Sequence, residues 1–119
     1  MRLKNILIVV EDVERSKRFY RELFGLQVIT DFGENVIMSE GLVLQERKSW
    51  EKLVNHGSTL GSFDSELFFV ENNLDDFLEK LKSTDIEYEM MGEPSVNFLN
   101  KRTLRMYDPD HHIIEIGER

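Results

Sequence analysis

The chain has 119 residues, enough for one hydrophobic core and too few for two ordinary domains. It contains no cysteine, which excludes disulfide bonds, thiolate metal sites and cysteine nucleophiles. Its 15 Lys and Arg residues against 23 Asp and Glu residues give a net charge of −8, which opposes binding to nucleic acid and to anionic membranes.

The first half of the sequence predicts one helix within a set of strands. Residues 3–10 form an apolar run that suits a strand covered on both faces. Asp12 offers the N-cap of a helix over about 12–24, which ends at Gly25. The next β-prone segments lie at 26–32, 35–38 and 42–46. Together these elements predict a β-α-β-β-β module over about 1–48.

The second half predicts the same order of elements. Mixed charge and glycines indicate a connector over about 49–61, with a short helix around 49–54. A second module over about 62–119 begins with a strand at 65–70 and a helix capped by Asn72 or Asn73. The remaining predicted segments are a strand at 86–90, a loop at 91–100, strands at 103–107 and 112–116, and a tight turn at Asp108-Pro109-Asp110 between the last two strands.

The two modules follow one plan. Asn5 to Val10 aligns with Ser65 to Val70 at an offset of 60 residues, and each segment precedes an amphipathic helix. A short curved sheet with one helix buries too little surface to be stable alone. We therefore predict a single α+β domain over 1–119, in which two tandem βαβββ modules form a cupped mixed sheet with helices on its convex face.

Alternation of side chains along the strands predicts which residues line the cleft between the modules. Placing Ile114 and Ile116 in the core directs Glu115 to the open face, and the same rule applies to the other strands. Trp50 and Phe98 lie in segments expected at the rim of the cleft. The remaining predicted lining residues are Asn5, Leu7, Gln45, Ser65, Leu67, Phe69, Arg105, Tyr107 and Glu115.

Both ends of the chain resemble one protein superfamily. Residues 8–26 read IVVEDVERSKRFYRELFGL and residues 106–116 read MYDPDHHIIEI. These segments, with the duplicated plan, are similar to the vicinal oxygen chelate superfamily, which includes glyoxalase I, bleomycin-resistance proteins, fosfomycin-resistance enzymes and extradiol dioxygenases. The resemblance covers nearly the whole chain and implies a homodimer. It does not define one activity, because one fold hosts many functions.

The resemblance implies a metal site at Asn5, Gln45, Ser65 and Glu115. Only Glu115 is a usual ligand for Zn, Ni, Mn or Fe, since amide and hydroxyl oxygens compensate poorly for dehydration of the ion. No metal and no other cofactor is therefore expected, and a divalent metal is the alternative. Glu115 has two readings, an ion pair with Arg105 on the neighbouring strand or contact with a ligand. His111 and His112 are predicted to be exposed turn residues.

Three functions remain open at this point. The first is a small-molecule binder with a degenerate metal site, which takes a mainly apolar, cationic drug or metabolite as bleomycin-resistance proteins do. The second is a metal-dependent lyase, isomerase, transferase or dioxygenase, in which Glu115 and Gln45 hold the metal. The third is a structural or regulatory protein that binds another protein. Residues 1–10 lack a small-residue cleavage site, so a cytoplasmic location is expected.

Overall fold

A computed structural model describes residues 1–61 and 63–119. Ser62, near which the second module was predicted to begin, lies outside the described residues. The chain divides into two compact units, Met1–Leu60 and Gly61–Arg119, called here the first and second units. The fold is mixed α+β, with one mixed sheet in each unit. Within the described ranges, the helices are all too short or too polar to cross a membrane.

The first unit contains a mixed four-stranded sheet and two helices. Its sheet has the order β1-β4-β3-β2, in which β1 is parallel to β4 and the other neighbours are antiparallel. The element order agrees with the predicted module, and the predicted short helix is present as α2. The elements are β1 (Ile6–Val10), α1 (Val13–Phe24), β2 (Val28–Asp31), β3 (Asn35–Met38), β4 (Leu42–Glu46) and α2 (Arg47–Val54).

The ends of α1 follow from its capping residues. The Asp12 carboxylate accepts a hydrogen bond from the Arg15 backbone N–H at 3.1 Å, which satisfies a free donor of the first turn. Gly25 ends the helix in the left-handed conformation, at φ 71°. The face between these caps carries Phe19 and Tyr20, which are 1% and 0% exposed. The predicted helix is confirmed, and its buried face contributes to the core.

The second unit repeats this plan with additional short strands. Its sheet has the order β5-β9-β8-β6, with β7 also paired to β8 and with β5 parallel to β9. The pairing of Ser95 with Thr103 and of Val96 with Arg102 forms β7 inside the predicted loop. The elements are β5 (Glu66–Glu71), α3 (Leu74–Ser83), β6 (Glu89–Met90), β7 (Ser95–Val96), β8 (Arg102–Tyr107) and β9 (Ile113–Glu118).

The predicted faces of β5 are wrong by one residue. The register pairs Leu67 with Ile114 and Phe69 with Ile116, so Leu67 and Phe69 lie on the same face as the buried isoleucines. Ser65, which was predicted with them on the open face, precedes the strand. Since a slip of one residue reverses every side chain of a strand, Glu66 and Phe68 take the face of Glu115 instead.

The N-caps of the helices give the correct offset of the repeat. Asp12 caps α1 and Asn73 caps α3, so the two caps lie 61 residues apart rather than 60. At this offset, Glu66 rather than Ser65 corresponds to Asn5 in the first unit. The second unit therefore contributes a carboxylate where a hydroxyl had been expected.

Two glycines with similar φ angles provide a matched test of packing at the β8–β9 turn. Gly61 has φ 73°, and a Cβ added there would lie 2.8 Å from His111 Cβ and 3.0 Å from Asp110 O. Gly25 has φ 71°, and an added Cβ would meet nothing within 4 Å. We expect Gly25→Ala to lower the free energy of unfolding by about 1 kcal/mol and Gly61→Ala by about 2 to 3 kcal/mol. Urea denaturation measures the free energy of unfolding of both variants. Equal losses would show that the β8–β9 turn moves to accommodate the added Cβ without losing stability.

Candidate functional site

Three charged side chains meet on one face of the second sheet. Glu66 on β5, Glu115 on β9 and Arg105 on β8 share this face by strand register. Arg105 Nε donates to Glu66 Oε1 at 3.1 Å, and Arg105 Nη2 donates to Glu115 Oε1 at 2.9 Å. The guanidinium thus reaches from β8 across β9 to β5. Together with Thr103, these residues are called the carboxylate cluster.

Thr103 occupies the other oxygen of Glu115. Its hydroxyl donates to Glu115 Oε2 at 2.6 Å, a length typical of a strong hydrogen bond to a charged acceptor. Thr103 and Glu115 are only 2% and 6% exposed. Both carboxylate oxygens of Glu115 therefore have donors from the protein itself, as a buried charge requires.

The pKa values of the two carboxyl groups of the cluster are shifted in opposite directions. The hydrogen bond with Glu115, helped by burial, raises the pKa of Glu66, although Arg105 acts in the opposite direction. Burial acts to raise the pKa of Glu115 as well, but hydrogen bonds from Glu66, Thr103 and Arg105 hold it below its ordinary value. Of the two carboxyls, Glu66 therefore takes up a proton at a higher pH than Glu115 does.

In the first unit, Gln45 on β4 is held by two side chains. Asn35 Nδ2 donates to Gln45 Oε1 at 2.7 Å, and Gln45 Nε2 donates to Ser49 Oγ at 2.7 Å. Gln45 is 4% exposed, so this chain of hydrogen bonds satisfies both ends of a buried amide. Asn35 and Ser49 were not singled out from the sequence. Asn35 faces Gln45 across the β3–β4 pair, a register that the sequence does not show.

The other residues predicted to line the cleft are distributed over both units. Asn5, Leu7 and Trp50 are half-buried in the first unit, Trp50 within α2. Tyr107 is half-buried on β8, whereas Phe98 lies in the loop before β8 and is 95% exposed. The structure brings Arg105 and Glu115 into contact, and the ion pair is present. The common cleft stays a prediction.

An open pocket of 510 Å³ lies in the second unit beside the β8–β9 turn. The rings of Tyr107 and His111 face each other with centroids 4.7 Å apart, and His111 Nε2 lies 2.9 Å from Glu89 Oε2. Of the lining residues, only Tyr107 was predicted to face a ligand, although the alternation of acids and an aromatic in Glu87-Tyr88-Glu89 was an available signal. The lining residues are Ile86, Glu87, Tyr88, Glu89, Tyr107, Asp108, Pro109 and His111.

The β8–β9 turn contains a buried carboxylate and a partly buried imidazole. Asp108 Oδ1 accepts the backbone N–H groups of Asp110 and His112 at 2.9 and 2.8 Å, and Asp108 Oδ2 lies 2.8 Å from His112 Nδ1. The side chain of His112 is 18% exposed, so the prediction of an exposed histidine is wrong there, whereas that of His111 is 58% exposed. His111 adopts φ 66°, which agrees with its expected place in the turn.

Asp108, Asp110 and His112 each place one ligand atom within 4.8 Å of the others, a spacing that a metal ion could use. However, the hydrogen bonds of the turn already use both oxygens of Asp108 and the Nδ1 atom of His112. An ion that used those atoms would compete with these bonds. We therefore interpret the group as the element that closes the turn.

The comparisons with known proteins define the family. The sequence model described as "Glyoxalase-like domain" matches residues 3–119, so the chain belongs to the glyoxalase-like family. The predicted membership of the vicinal oxygen chelate superfamily is confirmed by this match and by similar solved structures. A search of curated proteins found no significant match.

Solved structures reproduce the fold over the full chain. A protein of unknown function from Agrobacterium tumefaciens str. C58 is 31% identical, with a TM-score of 0.86 over 100% of this chain and 94% of that chain. A glyoxalase/bleomycin resistance protein/dioxygenase family enzyme from Burkholderia phytofirmans PsJN is 16% identical, with a TM-score of 0.83 over 99% of this chain and 98% of that chain. A fosfomycin resistance protein from Listeria monocytogenes is 19% identical, with a TM-score of 0.73 over 100% and 91%.

The carboxylate cluster fits a divalent metal poorly. The corrected register supplies Glu66 beside Glu115, and two carboxylates are better ligands than the single one expected from the sequence. However, the Arg105 guanidinium already donates to both of them, and Thr103 holds the remaining oxygen of Glu115. A metal would compete with a cation and a hydroxyl donor for these oxygens. The side chains of the cluster therefore satisfy one another through hydrogen bonds and do not form an open metal site.

Proposed function

We propose that this chain is a small-molecule-binding protein of the glyoxalase and bleomycin-resistance type with a degenerate metal site, and that its ligand is a cationic drug or metabolite. The pocket beside the β8–β9 turn carries this proposal. Its volume of 510 Å³ falls within the range of about 300 to 1,000 Å³ of small-molecule sites.

The chemistry of the pocket favours a cation that bears an apolar body. Tyr88, Tyr107 and His111 provide ring surfaces, and aromatic faces attract ammonium and guanidinium groups. Glu87 lies in the same lining, and its carboxylate makes no hydrogen bond or ion pair with residues 1–61 or 63–119. It is therefore available to a ligand ammonium group. The net charge of −8 adds a long-range attraction for cations.

Titration with a panel of aromatic and alkyl amines, followed by calorimetry and by NMR of the tyrosine rings, tests the binding. We expect micromolar to millimolar binding for at least one amine class, and Glu87→Gln to weaken it roughly tenfold by removing the charge partner. Glu93→Gln is the matched control, because Glu93 is also exposed but lies outside the pocket lining. A flat response to the whole panel, or equal weakening by both substitutions, would contradict the proposal.

A metal-dependent lyase, isomerase, transferase or dioxygenase is the second candidate. The presence of Glu66 on the same face as Glu115 supports it, since the register supplies two carboxylates. Elemental analysis of protein purified without chelators distinguishes the candidates. A stoichiometric content of Zn, Ni, Mn or Fe would support the enzyme and remove the case for a binder with a degenerate metal site.

A homodimer in the cytoplasm forms part of the same proposal. The glyoxalase-like family membership supports the dimer. Sedimentation velocity at several concentrations measures the association directly, and a monomer throughout the range would contradict the dimer.

A further inference from the structure

We infer that the guanidinium of Arg105 acts as a resident cation between Glu66 and Glu115, in the place that a divalent metal would take. The inference goes beyond small-molecule binding and does not depend on the identity of any ligand. It rests on a contact between three strands of the second sheet, in which Arg105 on β8 reaches carboxylates on β9 and β5.

The geometry shows that one cation serves both carboxylates. Arg105 uses Nε for Glu66 at 3.1 Å and Nη2 for Glu115 at 2.9 Å, so two nitrogen atoms of one planar group are committed. Glu115 is 6% exposed and faces Arg105 directly across the β8–β9 pair. A carboxylate buried to this extent requires a nearby cation or a proton. Arg105 supplies that cation permanently.

Steric and electrostatic exclusion of a metal follows from the same contacts. A bound transition metal lies about 2.0 to 2.2 Å from each carboxylate oxygen, which is closer than a nitrogen donor can approach. At Glu115 it would compete with Arg105 for Oε1 and with Thr103, at 2.6 Å, for Oε2. A guanidinium left beside the ion would also repel it. In the wild type, Arg105 thus opposes metal binding at the carboxylate cluster.

Removing the charge of Arg105 should convert the cluster into a metal site. In Arg105→Met, Glu66 and Glu115 would stay on one face of the sheet without their shared cation, and a divalent ion would supply the missing positive charge. Mn²⁺ is the appropriate probe, because it prefers carboxylate oxygens to imidazole. Calorimetric titration with Mn²⁺ should show affinity for Arg105→Met roughly tenfold or more above that of the wild type. Arg105→Lys, which keeps a cation, is the matched control and should resemble the wild type.

A double variant assigns any gain to this cluster. Glu66→Gln combined with Arg105→Met removes one carboxylate and should return Mn²⁺ binding to the wild-type level. If Arg105→Met folds poorly, Arg105→Gln carries the same test, since glutamine retains a hydrogen-bond donor without the charge. Addition of Mn²⁺ should raise the Tm of either variant and leave the wild-type Tm unchanged.

Two results would overturn the inference. One is tight Mn²⁺ binding by the wild type that is lost in Glu115→Gln, which would show that Arg105 does not close the site. The other is a folded Arg105 variant that gains no affinity. Neither result depends on the amine titrations, so failure of this inference and failure of the proposed ligand binding are distinguishable.

Discussion

Asp108→Ala is expected to lower the free energy of unfolding by about 3 kcal/mol, one of the largest effects of any single substitution in the second unit. The side chain of Asp108 is fully buried, and its loss leaves the backbone N–H groups of Asp110 and His112 without their acceptor. It also removes the carboxylate beside His112. Chemical denaturation monitored by circular dichroism measures the loss.

Asp108→Asn is the matched control for this prediction. Asparagine keeps an oxygen for the backbone N–H groups of the turn but carries no charge, so a smaller loss is expected. Comparison of the two variants separates the hydrogen bonds from the ion pair. Equal stability of Asp108→Ala and the wild type would show that the turn is held by its backbone alone.

The pH dependence of stability provides a separate test of this turn. Burial acts to lower the pKa of His112, but the hydrogen bond to Asp108 and the charges of Asp108 and Asp110 outweigh it, so the pKa lies above 6.5. A raised pKa contributes stability that is complete below pH 6.5 and is lost as the pH rises through the folded value. The Tm difference between the wild type and His112→Asn should therefore shrink from pH 5 to pH 9. A difference that grows towards high pH would contradict the assigned ion pair.

Phe19→Ala is expected to lower the free energy of unfolding by about 4 kcal/mol. Phe19 is 1% exposed and packs edge-on against Tyr20 at 5.2 Å between ring centroids. Truncation removes buried apolar surface and leaves a cavity that neighbouring rings fill only in part. The urea midpoint, measured at constant m-value, reports the loss.

Phe24→Ala on the same helix is the control for Phe19→Ala. Phe24 is half-buried and lies 5.5 Å from Phe19 between ring centroids, so both variants disturb the same cluster of rings. We expect a clearly smaller loss for Phe24, because part of its surface is already exposed to water. A larger loss of unfolding free energy for Phe24→Ala than for Phe19→Ala would contradict the assignment of Phe19 as the more buried ring of the group.

The first unit could be predicted from sequence because its signals are local and agree with each other. Asp12 and Gly25 mark both ends of α1 through capping and a positive φ. Asn35–Met38 and Leu42–Glu46 match the predicted strands at both ends. Alternation also places Gln45 on the same face as Val43, as predicted. In this unit, propensity, capping and hydrophobic pattern all favour one arrangement.

The faces of β5 could not be predicted from its own residues. The run Leu67-Phe68-Phe69-Val70 is apolar at every position, so alternation does not distinguish one face from the other. The longer-range signal was the spacing of the helix caps at Asp12 and Asn73. Because the strand was placed one residue out of register, Glu66 was missed, and with it the second carboxylate of the site.

The Arg105–Glu115 contact was accessible to sequence reasoning because both residues lie on one hairpin. The turn at Asp108-Pro109-Asp110 limits how β8 and β9 can pair, and the observed register sets Arg105 opposite Glu115. The Glu66 contact depends instead on the parallel pairing of β5 with β9, for which no tight turn sets the register. Contacts between distant segments were therefore the least predictable part of the site.

Because β5 lies at the edge of its sheet, Glu66 can separate from the rest of the carboxylate cluster. Arg105 and Glu115 are 10 residues apart on neighbouring strands, whereas Glu66, on the outermost strand, is 39 residues away from Arg105. Edge strands open at lower free energy than central ones. Fraying of β5 would withdraw Glu66 alone and leave Arg105 with a single counter-ion. The net charge of the cluster that remains on β8 and β9 thus depends on whether β5 is paired or locally open.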